Sequence, residues 1–284
     1  MNQKTIDYRE QVAEEFVKSL EEDPLHWKKT WNTGARGIPV NAANNRRYSG
    51  INNFYLRLLM VNNQWQDPRF ATFNQIKNAG WHLQKGAQGV KVEYWMPIDP
   101  QDKKAMSWDA YARLSEQEKE KVYIRAKYFH VFNAKDIEGI PPLPEPELKE
   151  GITADKLVEK ISENMGVEIQ NDSADSSYYR LAEDKIHMPL AGFFDSKEAY
   201  NSVLLHELTH ATGAPTRLNR DMSGTYGSST YAYEELVAEI SSAYMAAELS
   251  EPMPVTSFEM DNHKAYVQGW ISKIREIRKR FLRP

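Results

Sequence analysis

The chain has 284 residues, a length that suits one large domain or two of ordinary size. Hydrophobic residues make up 41% of it and charged residues 27%, a balance that indicates a globular protein and excludes a disordered one. The formal net charge of −4, taken alone, argues against a nucleic-acid-binding protein. Because there is no cysteine, disulfides and thiolate ligands are excluded, and any metal ion must be held by His, Asp or Glu.

Membrane insertion and secretion are not expected. No apolar run approaches the roughly 20 residues that would span a bilayer. The N-terminal stretch MNQKTIDYREQVAEEF is acidic and amphipathic, and it lacks the basic and then apolar layout of a secretory signal. We therefore expect a cytoplasmic protein with no membrane partner.

The charge is unevenly divided along the chain. Residues 24–95 contain ten Lys or Arg and only two acids, so the acidic excess lies in the remainder. The same stretch contains eleven aromatic residues, including five of the seven tryptophans. Aromatic rings interleaved with cations suit single-stranded nucleic acid, because bases stack on rings while phosphates lie along cations. The pattern leaves another interpretation open, in which the tryptophans form a core and the cations an ordinary solvated face.

The elements predicted for the first half are mixed helices and strands. Residues 5–22 fit an amphipathic helix with an apolar face formed by Val12, Phe16, Val17 and Leu20. The pattern then predicts, in chain order, Gly- and Asn-rich loops, a helix over NNFYLRLLMVNNQW, a short helix stopped by Gly80, a turn at Lys85-Gly86, and partner strands at GVKVEYWMPI and KYFHVFNAKDI.

A proline-rich segment, IEGIPPLPEPELKEG, predicts a stiff, extended linker. We place the domain boundary here, with residues 1–138 as the first domain, 139–150 as the linker and 151–284 as the second domain. The second domain is predicted to contain a helix at ADKLVEKISENMG, strands at VEIQ and within SSYYRLAEDKIHMPL, and helices at SKEAYNSVLLHELTHATG, TYAYEELVAEISSAYMAAEL and NHKAYVQGWISKIREIRKRF. The expected fold class is α+β.

The segment LLHELTH, residues 204–210, predicts a metal site. Helical spacing places His206 and His210 one turn apart on the same face, so both imidazoles can reach one ion. Glu207 lies beside them and can take a proton from bound water, whose pKa a divalent ion lowers from about 16 to near 7. The bland alternative is a chance match on a helix surface. The flanking residues are apolar, however, which indicates a buried helix whose His and Glu side chains need partners.

A zinc site needs a third protein ligand. Thr216 stands where a metzincin carries its third histidine, so that type of site is excluded. The other solution is a glutamate on the following helix, and YEELVAE offers Glu235, with Glu234 as second choice. This layout resembles the gluzincins, whose second helix carries the Glu ligand and, four positions later, an acid. The resemblance implies that Glu235 is the ligand and that Glu239 holds His206 from behind.

The residues leave several features of this site open. The donors suit zinc, but they also accept manganese, cobalt or nickel. The stretch YYRLAEDKIHMP is a candidate edge strand for an extended peptide substrate, and its His187 is expected to pack or to face solvent rather than bind metal. Three tyrosines are candidates to stabilise an oxyanion, and the sequence does not choose among them: Tyr226, Tyr231 and Tyr233.

Four stretches, PVNAANNRRYSGINNFYL, DPRFATFNQIKNAGWHLQKGAQGVKVEYW, HELTHATGAPTRLNR and YAYEELVAEI, together resemble plasmid antirestriction proteins of the ArdC type. The N-terminal half also resembles the leading domain of TraC-type plasmid primases. The resemblance extends over nearly the whole chain. It implies an N-terminal domain that binds single-stranded DNA, followed by a zincin-like metallopeptidase domain. Such proteins are carried by mobile elements and protect DNA that enters by conjugation from host restriction.

Within the N-terminal motifs, the recurrent positions of the resemblance are occupied by Asn41, Arg47, Tyr48, Gly50, Asn52, Lys85 and Gly86, and Phe70 replaces an expected tryptophan. We expect DNA contacts from Trp31, Asn41, Arg46, Arg47, Tyr48, Asn52, Arg69, Lys85 and Lys91. The expected function is therefore antirestriction by a DNA-binding protein with a zinc peptidase site. Two alternatives stay open: a single-stranded DNA coat protein whose metal is only structural, and a metalloprotease that cleaves a host protein such as a restriction component.

Overall fold

The structure is a computed structural model, and it describes residues 3–22, 38–143, 153–247, 249, 271–272 and 274–275. Contacts divide the chain into two compact units, one of residues 1–9, 39–56 and 67–143 and the other of residues 10–38, 57–66 and 144–284. Both contain helices and strands, which confirms the α+β class. None of the helices in these described ranges is long and apolar enough to cross a bilayer. The proposed domain limits and linker stay a prediction.

Two longer helices lie near the start of the chain. Helix α1, Gln3–Glu22, confirms the helix predicted over residues 5–22, and its predicted apolar face is buried. Helix α2, Gly50–Asn62, confirms the second predicted helix. Within the first unit, the fully buried Tyr8 of α1 donates a hydrogen bond from its hydroxyl to the side-chain oxygen of Asn52 at 3.0 Å.

The first unit contains a four-stranded sheet in the order β1-β2-β5-β4. Strands β4 and β5 are the two predicted partner strands, and they pair antiparallel along their length. Strand β2 was not predicted, because three of its four residues were taken as part of the short helix that follows. The strands are β1 (Val40–Asn41), β2 (Arg69–Thr72), β4 (Val90–Ile98) and β5 (Tyr123–Asn133).

Short elements complete this unit. Helix α3 begins with a capping box, in which Thr72 and Gln75 satisfy each other's backbone N–H groups. It ends just before Gly80, whose φ of 72° explains why the sequence places glycine there. The remaining elements are α3 (Phe73–Asn78), β3 (His82–Leu83), α4 (Trp108–Ala112), α5 (Glu116–Lys119), a 3-10 turn (Ala134–Asp136) and β6 (Ile137–Glu138), which pairs with β3.

The second unit places a three-stranded sheet, in the order β7-β9-β8, beside three helices. Its elements are α6 (Ala154–Met165), β7 (Glu168–Gln170), β8 (Tyr178–Arg180), β9 (Lys185–His187), a 3-10 turn (Ala191–Phe193), α7 (Lys197–Ala211) and α8 (Ser229–Ala247). The helices and β7 were predicted, but the stretch expected to form one strand, SSYYRLAEDKIHMPL, contains two strands, β8 and β9, which pair antiparallel. The helix predicted at NHKAYVQGWISKIREIRKRF lies almost entirely outside the described residues.

Helix α7 is the centre of the core of the second unit. Leu204, Leu205 and Leu208 are at most 2% exposed, and they pack in one cluster with Ile186 and Met188. Each fully buried leucine contributes about 1.5–3 kcal/mol relative to an exposed one. The apolar packing therefore fixes α7 in place, and with it the polar residues that alternate with these leucines.

Candidate functional site

The metal motif lies on the last turns of α7. Ser196 caps the start of this helix by accepting a hydrogen bond from the backbone N–H of Ala199. His206 and His210 follow one turn apart, with their ring centres 4.8 Å from each other. Their Nε2 atoms approach to 3.1 Å, so both point at one place.

Glu235, on α8, brings a carboxylate to the same place. Its Oε2 lies 3.5 Å from Nε2 of His206, and its Oε1 lies 3.6 Å from Nε2 of His210. Ligand atoms of the three residues all lie within 4.8 Å of one another, and no other group of this kind occurs among the described residues. Two imidazole nitrogens and one carboxylate are the donor set that a catalytic zinc site uses, with one position left for water. The residues therefore form a metal-binding group.

Each imidazole is held from behind by a second glutamate of α8. Nδ1 of His206 lies 3.2 Å from Oε1 of Glu239, the contact that the gluzincin resemblance implies. Nδ1 of His210 lies 3.2 Å from Oε1 of Glu234. Glu234, the second choice for a ligand, therefore faces the nitrogen that points away from the convergent atoms. Carboxylates in this position fix the ring orientation and the tautomer of a metal-binding histidine.

Burial and charge act against each other at this group. Burial alone would lower the pKa of His206, but the carboxylates of Glu239 and Glu235 outweigh it and hold this pKa well above its ordinary value. Burial would raise the pKa of Glu235, yet the hydrogen bond to His206 and the charges of the two histidines keep it below the ordinary value. The surrounding carboxylates thus stabilise positive charge at the point that a divalent cation would occupy.

Glu207, the predicted base, lies beside this group and is 6% exposed. Its Oε2 accepts a 2.9 Å hydrogen bond from the backbone N–H of Tyr179 in β8. The Tyr179 hydroxyl in turn donates to Asp184 at 2.6 Å, and Arg217 also donates to Asp184. Burial, followed by the contact with Asp184, raises the pKa of the Tyr179 hydroxyl to about 12. Tyr179, which Asp184 and Arg217 hold through its hydroxyl, therefore sets the position of the Glu207 carboxylate through its backbone N–H.

A cleft of about 330 Å³ opens over the metal-binding group. This volume lies at the lower end of the range of small-molecule sites and suits a few side chains of a peptide. One wall is formed by β8 with Tyr178 and Tyr179, and another by the loop between α7 and α8. Of the three candidate tyrosines, Tyr231 lines this cleft and hydrogen-bonds Glu235, whereas Tyr226 and Tyr233 do not line it.

His187 is not part of the metal-binding group. It is 5% exposed, stacks on the ring of Tyr178, and has its Nδ1 2.8 Å from Asp172, so it packs as expected. Two features of the site were not predicted: the part that Arg220 plays in it and the position of Glu234 behind His210. An arginine in a loop is usually solvated, so its type gives no signal. The one signal in the sequence for a second role of Glu234 is that two glutamates stand side by side at 234–235, whereas the metal ligand requires only one of them.

Comparison with known proteins agrees with this geometry. The N-terminal domain of anti-restriction factor ArdC matches residues 6–132, and a zincin-like metallopeptidase family matches residues 156–283. The metal-free crystal structure of antirestriction protein ArdC from plasmid R388 is 28% identical and has a TM-score of 0.69, over 95% of this chain and 90% of that one. The chain belongs to the ArdC type of antirestriction proteins.

A second structure of the R388 protein and one further relative bear on the site and length of this ArdC-type chain. The Mn(II)-bound structure of the R388 protein is 27% identical, with a TM-score of 0.69 over 95% of this chain and 90% of that one. A DNA primase TraC of Escherichia coli is 34% identical over 276 residues, which are 95% of this chain but 25% of the primase. The chain therefore spans about a quarter of the length of that curated relative.

In the ArdC-like N-terminal region, three of the residues predicted to contact DNA make contacts with other residues of the protein instead. The side chain of Asn52 bonds the backbone N–H and the carbonyl of Glu93 at 2.9 and 2.6 Å. Arg69 donates to both carboxylate oxygens of Asp67. The ammonium group of Lys91 lies 4.8 Å from the ring centre of Tyr128. These contacts give the three side chains a role in holding the domain together.

In the loop that starts at Asn41, some of the residues predicted to contact DNA hold the loop in place and others are exposed. The amide of Asn41 exchanges hydrogen bonds with that of Gln75 at 3.1 and 3.3 Å, so it fixes the loop. Tyr48 packs edge-on against Phe70, and burial raises the pKa of its hydroxyl to about 12. Arg46 and Arg47, between these anchors, are exposed, as is Lys85 at the turn beside Gly86. Trp31 lies outside the described residues.

Proposed function

We propose that this ArdC-type chain protects incoming plasmid DNA from host restriction. In this proposal the N-terminal domain binds single-stranded DNA, and the C-terminal domain carries a zinc-dependent peptidase site that acts on a host restriction component or another polypeptide. The observation that supports it most directly is the convergence of His206, His210 and Glu235 beside Glu207, at the floor of an open cleft. Such a protein acts in the cytoplasm, where entering DNA meets restriction enzymes.

The geometry supports a division of labour among the residues of the site. A divalent ion held by His206, His210 and Glu235 would supply Lewis-acid polarisation of a peptide carbonyl and a lowered water pKa. Glu207 would accept the proton of the attacking water and later donate it to the leaving amine. Tyr231 lines the cleft and is the tyrosine best placed to stabilise developing negative charge on the carbonyl oxygen.

The proposal for DNA depends on the N-terminal unit. Arg46 and Arg47 are exposed on a loop that Asn41 and Gln75 hold in one conformation, and Lys85 is exposed at a second turn. Cations that are pre-positioned in this way can contact phosphates without first paying the entropy of loop ordering. The names of the relatives, an antirestriction protein and a DNA primase, agree with a partner of this kind.

Elemental analysis of the purified protein tests the metal site. We expect about one divalent ion per chain in the wild type, zinc being favoured and Mn(II) an accepted replacement, and none in His210→Ala. His187→Ala is the matched control, because it removes another buried histidine of the same unit. Equal metal content in wild type and His210→Ala would refute the assignment.

A restriction-protection assay tests whether the peptidase chemistry is used. The plasmid would be transferred into a restricting host that expresses wild type, Glu207→Gln or His206→Ala. Loss of protection in both variants, with single-stranded DNA affinity unchanged, is the expected result. Full protection by both would remove hydrolysis from the mechanism and leave a DNA-coating protein with a structural metal. Disappearance of a host polypeptide only with wild type would identify a substrate.

A further inference from the structure

The second imidazole of the metal-binding group has an anchor of its own. Oε1 of Glu234 lies 3.2 Å from Nδ1 of His210, while Glu235 lies 3.6 Å from Nε2 of the same ring. Two successive residues of α8 therefore contact opposite sides of one imidazole. His210 and Glu234 are 9% and 6% exposed, so solvent contributes little to holding this geometry.

Arg220 fixes the carboxylate of Glu234. Its Nη2 donates to Oε1 at 2.6 Å and its Nε donates to Oε2 at 2.8 Å, which is a two-pronged guanidinium–carboxylate pair. The two side chains are 16% and 7% exposed, so the pair is shielded from water. A pair of this kind defines the plane of the carboxylate, and lysine cannot reproduce it.

The remaining N–H groups of Arg220 reach the end of α7. Nη1 donates to the hydroxyl of Thr212 at 2.7 Å, and Nη2 donates to the carbonyl of Thr209 at 2.8 Å. The hydroxyl of Thr212 itself donates to the carbonyl of Thr209 at 2.6 Å, so the guanidinium joins a set of contacts that closes the end of α7. A methyl group at Gly213 would lie 3.0 Å from Nη2 of Arg220, and glycine therefore leaves the guanidinium room to approach.

The residues that follow Arg220 form a wall of the cleft. Asp221, Met222 and Gly224 all line the space above the metal-binding group. The same arginine thus anchors this wall and, through Glu234, the ring of His210. Coupling of this kind is reciprocal: if metal binding orders the wall, then ordering of the wall strengthens metal binding by the same factor.

We propose that Glu234 and Arg220 position His210 and couple metal binding to the ordering of the cleft wall at residues 221–224. This inference rests on the proposed metal site. Neither residue would touch a bound ion or the reacting atoms in this arrangement, so both act as positioning residues. Their loss should weaken metal binding by about 10- to 100-fold, the usual effect of removing a group that orients a ligand.

Titration with Mn(II) alone, combined with hydrogen exchange of the loop at residues 213–228, tests the coupling. In the wild type we expect Mn(II) to slow exchange in this loop. Glu234→Gln and Arg220→Lys should bind Mn(II) about 10- to 100-fold more weakly, and saturating Mn(II) should no longer slow exchange in their loops. Arg180→Lys is the matched control, because this arginine also donates to an acid, Glu183, but contacts neither Glu234 nor the loop; it should bind Mn(II) as the wild type does.

Other outcomes separate the two proposals. No Mn(II) binding by the wild type would overturn the metal site and this inference together. Wild-type binding with an unchanged Glu234→Gln titration would overturn only the inference. If Glu234→Gln fails to fold, the Mn(II) titration is repeated with Thr212→Val, which removes one acceptor of Arg220 without changing a charge. A several-fold weaker titration supports the inference, and an unchanged one overturns it.

Discussion

The backbone N–H of Tyr179 donates a 2.9 Å hydrogen bond to Oε2 of Glu207. The candidate base is thus held by the strand that forms one wall of the cleft, and not by the metal-binding residues. A glutamine at position 207 can still accept this hydrogen bond, so the substitution removes the base without disturbing β8.

We therefore predict that Glu207→Gln retains its metal but loses peptide hydrolysis by at least about 100-fold, the usual contribution of a general base. The measurement is turnover of an unstructured protein substrate beside metal content. Glu183→Gln, at a more exposed acid of the same unit, is the control and should keep its activity. Comparable turnover in wild type and Glu207→Gln would exclude Glu207 as the base.

The ion pair of Asp184 and Arg217 predicts a pH dependence of stability. The hydrogen bond from Arg217 outweighs the effect of burial and lowers the pKa of Asp184 below its ordinary value. A carboxyl with a depressed pKa in the folded state adds stability above its unfolded pKa of about 4 and loses it as pH falls through the folded value. Asp184→Asn should cost about 1 kcal/mol or less at pH 7, because the Asp184 side chain is 42% exposed.

Urea unfolding of wild type and Asp184→Asn across the acid range measures this effect. The difference in unfolding free energy should shrink below pH 4. A difference that stays constant with pH would mean that the charge of Asp184 is not what stabilises this contact.

Gly224 is predicted to tolerate no side chain. An added methyl group would lie 2.3 Å from the backbone nitrogen of Tyr231, so the loop or the first turn of α8 must shift. Gly224→Ala should lower the unfolding free energy by about 1–3 kcal/mol, as overpacking does, and it should also weaken metal binding. Thermal unfolding and Mn(II) titration measure the two effects. Gly192→Ala is the control, since no heavy atom lies within 4 Å of its added methyl. Equal melting of the two variants would contradict the prediction.

The exposed cations of the N-terminal unit are predicted to contact phosphates. The logarithm of the affinity for a single-stranded oligonucleotide should fall linearly with the logarithm of salt concentration. Replacing Arg46, Arg47 and Lys85 together with alanine should reduce the slope by about 2, since each phosphate contact contributes about 0.7. Lys160→Ala, at an exposed cation of the other unit, should leave it unchanged. An unaltered slope in the triple variant would place the DNA elsewhere.

Leu208 is predicted to be the most sensitive apolar residue near the site, because it is fully buried in the apolar cluster that holds α7, on the turn that carries the two metal-binding histidines. Leu208→Ala should cost about 2–5 kcal/mol of unfolding free energy through the cavity it leaves. Leu218→Ala, at a 67% exposed leucine of the same unit, should change stability by about 0.5 kcal/mol or less. Denaturant unfolding of the two variants checks the contrast.

The sequence predicted the parts of the molecule that have a periodic or spaced signal. The apolar period gave α1, α7 and α8, and the histidine spacing gave the metal-binding group with Glu235. Strand β2 was missed because four residues are too few to show an alternation. The positions of Glu234 and Arg220 were missed because they depend on how a loop folds back on α7, and no local pattern encodes such a contact. Asn52, Arg69 and Lys91 show the same limit, since residue type does not reveal a partner within the fold.

The neighbouring contacts of Glu234 and Glu235 on His210 restrict how α8 can change. An inserted or deleted residue ahead of this pair would rotate it by about 100° around the helix axis, since there are 3.6 residues per turn. Both sides of the imidazole would lose their partners in a single event, and Glu239 would leave His206 as well. Changes of length can therefore be accommodated in α8 beyond Glu239, but not between the start of this helix and Glu239.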